Sequence, residues 1–220
     1  SGEIRVLHIT SGDVWGGAEV QLRAMIRELT SFGDVSVRVL LFNYGLTEER
    51  LREIGVKVKV LDENVRSAQG LIRDITTTIR EWQPDIVHTH GYKECILGTV
   101  ACRLQANTPC LRTVHGSPET SPRIWQLHKR VIRWADNVAL RRQQRVIAVS
   151  QELCERLGKQ LGRHLVVAID NGIDPEEIVH GSHRPGVVRR KSGVVQVGVV
   201  GRLVSVKRVD IFLRVCQILH

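Results

Sequence analysis

Arg202 and Lys207 are the two residues whose type and spacing suggest chemistry most clearly. They follow a short apolar run that ends at Val200, and Gly201 separates that run from the arginine. A guanidinium group can bind two phosphate oxygens at once, and the ammonium of a lysine adds a compact positive charge. Without a bound anion, cations near the start of a helix oppose the helix dipole. The pair therefore predicts a binding site for a diphosphate group.

A glycine-rich stretch after the first apolar run is the second candidate site. Residues 11–19 read SGDVWGGAE. Glycines let a ligand approach the backbone closely, and the free N–H groups at the start of a helix attract anions. Ala18 and Glu19 stand where a P-loop requires Lys and Ser or Thr, and no GxGxxG motif is present, so a P-loop ATPase and a dinucleotide-binding loop are both disfavoured. Gly16 and Gly17 are predicted to lie against a bound ligand.

Three histidines lie at the ends of two further apolar runs. His88 and His90 alternate with Thr89 and therefore face the same side of a strand, and His115 follows the next strand. A histidine in such a position can contact a substrate hydroxyl or transfer a proton. No carboxylate or cysteine lies at a spacing that completes a metal site, so we expect no metal. We expect one histidine to be packed and hydrogen-bonded internally while His90 faces the cleft.

The elements that would position these residues alternate between strand and helix patterns. Apolar, β-branched runs predict strands over residues 4–10, 35–42, 56–61, 85–89, 110–114, 145–149 and 165–169. Apolar residues at helical spacing predict helices over 18–30, 47–54, 68–82, 93–104, 124–138 and 151–161, with Thr47 and Ser150 as N-caps. This alternation predicts an α/β fold built on a doubly wound, Rossmann-like parallel sheet.

The last part of the chain has a different organisation. Residues 181–192 lack periodicity and are typical of a linker between a first domain, 1–180, and a single βα unit, 193–220. In that unit we predict a strand over 194–200 and a helix over 206–219. Because one βα unit cannot bury its own faces, we expect it to be the start of a second, truncated domain.

Composition and charge narrow the class of protein. The 220 residues are 42% hydrophobic and 25% charged, and no apolar run reaches the roughly 18 residues of a membrane-spanning helix. Five scattered cysteines predict free, buried thiols and a cytoplasmic location. The net charge of +9 is concentrated between Arg123 and Arg145, where seven Lys and Arg residues accompany one acid, Asp136. An anionic partner is therefore expected, either a phosphorylated substrate or a membrane surface.

Taken together, the motifs resemble those of the retaining GT-B glycosyltransferases of family 4. The similarity covers nearly the whole chain in matching order. Its segments are GGAE (16–19), PDIVHTH (84–90), TVHG (113–116), VIAVS (146–150), NGID (171–174) and GRL (201–203) with Lys207. The resemblance implies a two-domain enzyme with its active site in the interdomain cleft. The amino-terminal domain would bind the acceptor, and the carboxyl-terminal domain would bind a nucleotide-diphosphate sugar.

The resemblance also implies roles for individual residues. Those expected to bind the donor diphosphate are Arg202, Lys207, Gly16 and Gly17. His115 would be the catalytic residue that contacts the transferred sugar. Those expected to bind the acceptor are Glu19, His90 and Tyr92. The family uses no metal and no cofactor beyond its donor substrate, and Arg208 stands where it usually has a glycine after the lysine.

The implied reaction is retaining transfer of a hexose unit to a hydroxyl acceptor. That acceptor would be a polysaccharide, a lipid-linked sugar or a small glycoside, and polysaccharide biosynthesis at the inner face of the membrane is the expected setting. We expect the 220-residue chain alone to be inactive, because the resemblance places further contacts to the donor in a carboxyl-terminal part that this sequence does not contain.

Two other classes of protein stay open. A nucleotide-sugar epimerase of GT-B architecture would share the diphosphate site but would use no acceptor. A non-enzymatic domain would bind an anionic membrane through the basic helix, with Trp125 and Trp134 as anchors. Nucleic acid is disfavoured as a partner, because basic and aromatic residues do not interleave and no known binding motif is present.

Overall fold

A computed structural model describes residues 2–105, 108–116, 127–173, 195, 197–201, 203 and 207–219, and shows seven strands in one parallel sheet. The strands are β1 (Ile4–Thr10), β2 (Val35–Leu41), β3 (Lys57–Val60), β4 (Ile86–Thr89), β5 (Cys110–Val114), β6 (Arg145–Ala148) and β7 (Val166–Ala168). The helices are α1 (Gly17–Ser31), α2 (Leu46–Glu53), α3 (Ala68–Trp82), α4 (Tyr92–Leu104), α5 (Leu127–Leu140), α6 (Gln151–Leu161) and α7 (Val209–Leu219). The predicted doubly wound α/β fold is confirmed, and the ends of each predicted strand of the sheet lie within one residue of those observed.

The strand order identifies where a ligand would bind. It is β3-β2-β1-β4-β5-β6-β7, so the chain builds the sheet outward in one direction from β1 and then crosses back to build it from β4 in the other. In doubly wound sheets a crevice opens at this switch point, beyond the carboxyl ends of the two central strands. The loops after β1 and β4 contain SGDVWGGAE and His90, respectively, and they flank this crevice.

Helices cover both faces of the sheet, and the described residues form three hydrophobic clusters, two of which include residues of β2. Leu71, Ile75 and Ile79 of α3 pack with strand residues such as Leu7 and Leu40 on one face. Leu22 and Ile26 of α1 pack against β2 and β3 on the other. Each fully buried Leu or Ile contributes roughly 1.5–3 kcal/mol. These two layers fix the central strands and hence the positions of the loops at their carboxyl ends.

The chain divides into two compact units, the first made of Ser1–Ser117 with Pro122–Ile173 and containing the sheet. We call this first unit the sheet domain. In the second unit, residues 195 and 197–200 lie outside any strand in the part that the structure describes, although a strand was predicted there. The described valines of this segment are exposed, because no neighbouring strand pairs with them. The predicted helix forms as α7, and Ile218 and Leu219 are among its exposed apolar residues.

The two predicted N-caps have different outcomes. The hydroxyl of Ser150 accepts a hydrogen bond from the backbone N–H of Leu153, as predicted for a cap of α6. Thr47 does not cap α2, because that helix begins at Leu46. The buried Thr47 hydroxyl instead donates to the backbone carbonyl of Val14, 2.9 Å away. Thr47 therefore ties the loop after β1 to the start of α2.

The state of the cysteines and the character of the described helices agree with what the composition predicts. All five cysteines are free, with Cys95, Cys102 and Cys110 buried and the other two half-buried. In the part of the chain that the structure describes, no helix is both long enough and apolar enough to cross a membrane.

Gln83 offers a direct test of local backbone strain. It ends α3 in the left-handed conformation, with φ of 50°, which costs a side-chain-bearing residue about 1 kcal/mol relative to glycine. We expect Gln83→Gly to raise the free energy of unfolding by about that amount in urea denaturation. Gln105→Gly is the matched control, because Gln105 ends α4 with φ of −119° and should gain nothing. Equal effects of the two changes would contradict this explanation.

Candidate functional site

The loop after β1 is held in place by close backbone contact with the loop after β2. A Cβ added to Gly12 would overlap the carbonyl oxygen of Asn43, and one added to Gly45 would overlap the carbonyl oxygen of Gly12. Glycine is therefore required at both positions by the packing of the two loops. This packing fixes the path of the chain from β1 into the start of α1.

The start of α1 is already occupied by a carboxylate. The Glu19 side chain accepts a hydrogen bond from the backbone N–H of Gly16 at 3.0 Å, as in one half of a capping box. Gly17 is exposed, and a Cβ added there would meet nothing within 4 Å. An anion that approached Gly16 in this arrangement would meet negative charge, whereas the backbone of Gly17 is open. Glu19, predicted to bind an acceptor, thus has a structural contact of its own.

Four histidines come together at the carboxyl ends of β1, β4 and β5. His8 is fully buried in β1 and pairs in register with His88 of β4. Its Nδ1 lies 3.0 Å from Nε2 of His90, and Nδ1 of His90 lies 3.4 Å from Nε2 of His115. The ring centroids of His88 and His90 are 4.4 Å apart. We call these four residues the histidine cluster.

The predicted division between an internal and a cleft-side histidine is confirmed for His88. It is buried, and its Nε2 is hydrogen-bonded to the hydroxyl of Thr113 at 2.8 Å. His90 is only partly buried and lies directly before the start of α4. The sequence gives no reason to select His8 as a site residue. It is the one histidine in the apolar run 4–10, so no second histidine at strand spacing draws attention to it. Only the pairing of β1 with β4 brings it into the cluster.

Burial keeps the cluster neutral. Loss of hydration, with a smaller contribution from the neighbouring His115, lowers the pKa of His88 to about 4. The same cause sets the pKa values of His8 and His90 well below 6.5, and repulsion from the neighbouring rings adds to it. Burial and then the charge of Arg112 lower the pKa of His115. At neutral pH these rings are uncharged imidazoles, each with one N–H and one bare nitrogen.

The described residues contain one group of side chains spaced for a metal ion, namely His8, His88 and His90, with nitrogens within 4.8 Å of one another. A tetrahedral zinc ion with Zn–N bonds of about 2.0–2.1 Å needs nitrogens about 3.4 Å apart and usually more than three ligands. Here the nitrogens of His8 and His90 that face each other are already hydrogen-bonded. In this structure the three imidazoles are arranged as hydrogen-bonded and packed rings, and the absence of a metal stays a prediction.

Glu94 is a second residue that the sequence did not reveal. It lies in the first turn of α4, and its carboxylate accepts a hydrogen bond from the Ser11 hydroxyl at 3.0 Å. Gly91 makes room for this carboxylate, since a Cβ at position 91 would overlap it. Burial raises the pKa of Glu94 above its usual value. This hydrogen bond joins the loop after β1 to the loop after β4 across the switch point.

A partly exposed ion pair closes one side of the same crevice. Nζ of Lys93 lies 2.6 Å from the carboxylate of Glu63, and the amide of Asn43 donates to that carboxylate at 3.0 Å. The loops after β2 and β3 are thereby connected to α4. Tyr92 precedes this lysine and is exposed, so the predicted acceptor residues His90 and Tyr92 lie at the same edge of the sheet.

The predicted diphosphate pair is only partly described. Arg202 lies outside the described residues. Lys207 is exposed, and a Cβ added to Gly201 would be 3.9 Å from its Cγ. Arg208 adopts φ of 48°, a left-handed conformation that suits glycine, and it forms an ion pair with Asp210. The backbone at this position thus shows why a glycine would be expected after the lysine.

The basic helix predicted from the sequence exposes its cations. Its first described part is α5, where Lys129, Arg130 and Arg133 are exposed beside the exposed apolar side chain of Trp134. Asp136 faces inward and forms an ion pair with the buried Arg112 of β5. Because Asp136 is paired with Arg112, its negative charge does not offset the positive charge of the exposed cations. Trp125 lies outside the described residues.

The fold and the loops at its switch point define a GT-B type glycosyltransferase domain. The chain belongs to Glycosyltransferase Family 4, whose sequence profile matches residues 15–177. A 2-deoxystreptamine N-acetyl-D-glucosaminyltransferase of Streptomyces fradiae is 27% identical over an alignment 222 residues long. That alignment covers 89% of the chain and 52% of that enzyme. A UDP-Gal:alpha-D-GlcNAc-diphosphoundecaprenol alpha-1,3-galactosyltransferase of Escherichia coli is 31% identical over 69% of the chain and 44% of its own length.

A solved structure shows the same architecture. The crystal structure of HepE from Anabaena in complex with UDP superposes with a TM-score of 0.62 at 25% identity, covering 80% of the chain and 48% of that protein. The chain thus spans about half the length of the relatives that it matches. The names of both curated relatives describe transfer of a sugar, and the name of the second gives UDP-Gal as its donor.

Proposed function

We propose that this chain is the acceptor-binding half of an enzyme that transfers a sugar from a nucleotide-diphosphate sugar to a hydroxyl acceptor. The observation that carries the proposal is the crevice between β1 and β4 in a chain that belongs to Glycosyltransferase Family 4. Tyr92 is exposed beside the crevice and is suited to hold an acceptor, whereas both ring nitrogens of His90 are hydrogen-bonded to His8 and His115. The donor would be bound largely by the half of the protein that this chain does not span, with Arg202 and Lys207 on its diphosphate.

The chemistry needs little from general acid or base groups. The bond between the anomeric carbon and the diphosphate breaks, the acceptor oxygen bonds to that carbon, and the hydroxyl proton leaves with the departing diphosphate. Negative charge grows on the diphosphate, where the guanidinium of Arg202 and the ammonium of Lys207 would stabilise it. A neutral His115 would donate a hydrogen bond to the transferred sugar through Nδ1, the ring nitrogen without a partner in the described structure, and would add no charge. Retention of configuration and a hexose donor are part of this proposal, and it includes no metal ion.

The epimerase alternative differs in its requirement for an acceptor. An epimerase would rearrange the sugar while it stays attached to the nucleotide, and it would leave the crevice between β1 and β4 without a second substrate. Membership of a glycosyltransferase family supports transfer over epimerisation.

His115→Ala in the full-length enzyme tests the role proposed for this ring. We expect kcat to fall about 100-fold, because the loss of one positioned hydrogen-bond donor in an active site costs roughly that factor. His164→Ala is the control, since His164 is exposed on the turn after α6 and should leave the rate unchanged. Initial rates of nucleotide diphosphate release measure both variants. A normal kcat in folded His115→Ala would remove His115 from the site.

We also propose that the exposed face of α5 contacts an anionic membrane, which would bring the enzyme to a lipid-linked acceptor. The charge complementarity supports this, with three exposed cations and an exposed tryptophan on one short segment. Arg141 is not part of that face, because its Nη2 donates to the backbone carbonyl of Gln160.

Binding to vesicles tests whether α5 itself contacts the membrane or whether any exposed cation of the chain would have the same effect. Each juxtamembrane cation contributes about 1 kcal/mol near an anionic surface, so Arg130→Gln with Arg133→Gln should weaken binding to phosphatidylglycerol vesicles about 30-fold. Lys57→Gln with Lys59→Gln removes the same charge from the edge strand β3 and serves as the control. If both double variants lose affinity equally, α5 is not the contact surface.

A further inference from the structure

Three rings of the histidine cluster form one continuous hydrogen-bonded line, and we propose that His8 and His90 are positioning residues that fix the tautomer of His115. The line crosses three neighbouring strands, from His8 in β1 through His90 after β4 to His115 after β5. This inference deepens the proposed function and depends on it for the role of His115 toward substrate. The hydrogen-bonded line itself does not depend on that function.

The ring geometry supports hydrogen bonds along the whole line. His8 and His90 are nearly coplanar, with an interplanar angle of 23° and centroids 5.2 Å apart, and His90 and His115 have 29° and 5.7 Å. Each centroid separation exceeds the matching nitrogen–nitrogen distance by about the width of one ring. Rings that meet in this way lie edge to edge, with the lone pair of one nitrogen directed at the N–H of the next.

The middle ring couples the two outer ones. His90 uses Nε2 toward His8 and Nδ1 toward His115, so both of its nitrogens are engaged. A neutral imidazole has one N–H, and His90 must therefore accept on one side and donate on the other. Both hydrogen bonds survive only if all three rings carry the proton on Nδ1 or all three carry it on Nε2. A change of tautomer at His115 therefore requires the same change at His90 and His8.

The line of three rings ends in two buried ring nitrogens. Nε2 of His8 and Nδ1 of His115 are enclosed and make no hydrogen bond in the described structure. Among the described residues no group at either end competes for the proton, so the inner hydrogen bonds keep the tautomers of the three rings the same. His88 packs against His90 but bonds to Thr113 instead, which leaves it outside the line.

Nitrogen NMR of the ¹⁵N-labelled 220-residue chain at neutral pH tests this directly. We expect a scalar coupling between Nδ1 of His8 and Nε2 of His90 across their hydrogen bond, and a single shared tautomer for His8, His90 and His115. The exposed His164 is the internal control and should show the mixed tautomers of a free imidazole. Different tautomers along the line, or no coupling in the wild-type chain, would overturn the inference, whether or not the same rings take up stoichiometric Zn²⁺.

Variants of His90 and His88 test whether the hydrogen bonds of His90 cause the shared tautomer. His90→Phe keeps a ring in place but removes both hydrogen bonds, so His8 and His115 should return to mixed tautomers. His88→Phe is the matched control and should leave the shared tautomer intact. If His90→Phe does not fold, His90→Leu takes its place, and the coupling in the wild-type chain still decides the question. A fixed tautomer at His115 in a folded His90 variant would overturn the proposal. Because these measurements need no substrate, failure of the transferase proposal would not affect them.

Discussion

Acidification from about pH 7 to about pH 5.5 is expected to lower the free energy of unfolding of the sheet domain by about 4 kcal/mol. His8, His88 and His90 are kept neutral in the folded state by burial, and their pKa values lie below 6.5. Once unfolded, each takes up a proton near pH 6.5, so the unfolded state binds more protons and gains stability as the pH falls. Each histidine contributes roughly 1.3 kcal/mol over this interval.

The sign of this effect separates the histidines from the buried acids. Burial raises the pKa values of Glu94 and Asp136, so those groups bind protons more readily when folded and would stabilise the fold on acidification. A net loss of stability therefore reports the histidines. Chemical denaturation monitored by circular dichroism at several pH values measures it. His88→Phe should reduce the pH dependence, because it removes one of the histidines whose pKa burial lowers. A profile that is the same in His88→Phe as in the wild-type chain would show that His88 does not contribute to it.

Gly12→Ala is expected to lower the free energy of unfolding by about 3 kcal/mol or more. Its new Cβ would overlap the carbonyl oxygen of Asn43, which is backbone and cannot rotate away as a flexible side chain would. The loops after β1 and β2 would have to separate, and the hydrogen bond from Thr47 to Val14 would be strained or lost. In the full-length enzyme the same change should raise the KM for the acceptor, because this loop borders the crevice.

Gly17→Ala is the control for this prediction. Position 17 is the first residue of α1, an added Cβ meets nothing within 4 Å, and alanine is the better helix former. Stability should be unchanged or slightly higher, as measured by urea denaturation. If Gly12→Ala were as stable as Gly17→Ala, the close contact between the two loops would not exist in solution.

Periodicity in the sequence was sufficient to predict the sheet, because each strand is a short apolar run between polar turns. The alternation of Ile4–Thr10 with the amphipathic Gly17–Ser31, for example, leaves one arrangement that buries both. Alternation along the strand also placed His88 and His90 on the same face, and the structure identifies His88 as the histidine that is packed internally. The predicted start of a helix was wrong where contacts between loops determine it. Thr47 lies inside α2 instead of capping it, and its hydroxyl donates to the carbonyl of Val14 in the neighbouring loop.

The candidate site was less predictable because strand order brings together residues that are far apart in sequence. His8 and His90 are separated by 82 positions, and only the adjacency of β1 and β4 places their rings 3.0 Å apart. Glu94 has the appearance of an ordinary first-turn acid until Gly91 and Ser11 are seen to enclose it. The role of Arg208 could be anticipated only as a departure from a glycine, and its left-handed φ gives the physical reason.

Release of nucleotide diphosphate from nucleotide sugars by the full-length protein, measured with and without hydroxyl acceptors, tests the central claim most directly. We predict that release depends on an acceptor, that the product carries the sugar with its anomeric configuration retained, and that His115→Ala slows the reaction. Conversion of the nucleotide sugar to an epimer at the same rate with and without acceptor would contradict the assignment of the crevice between β1 and β4 as an acceptor site.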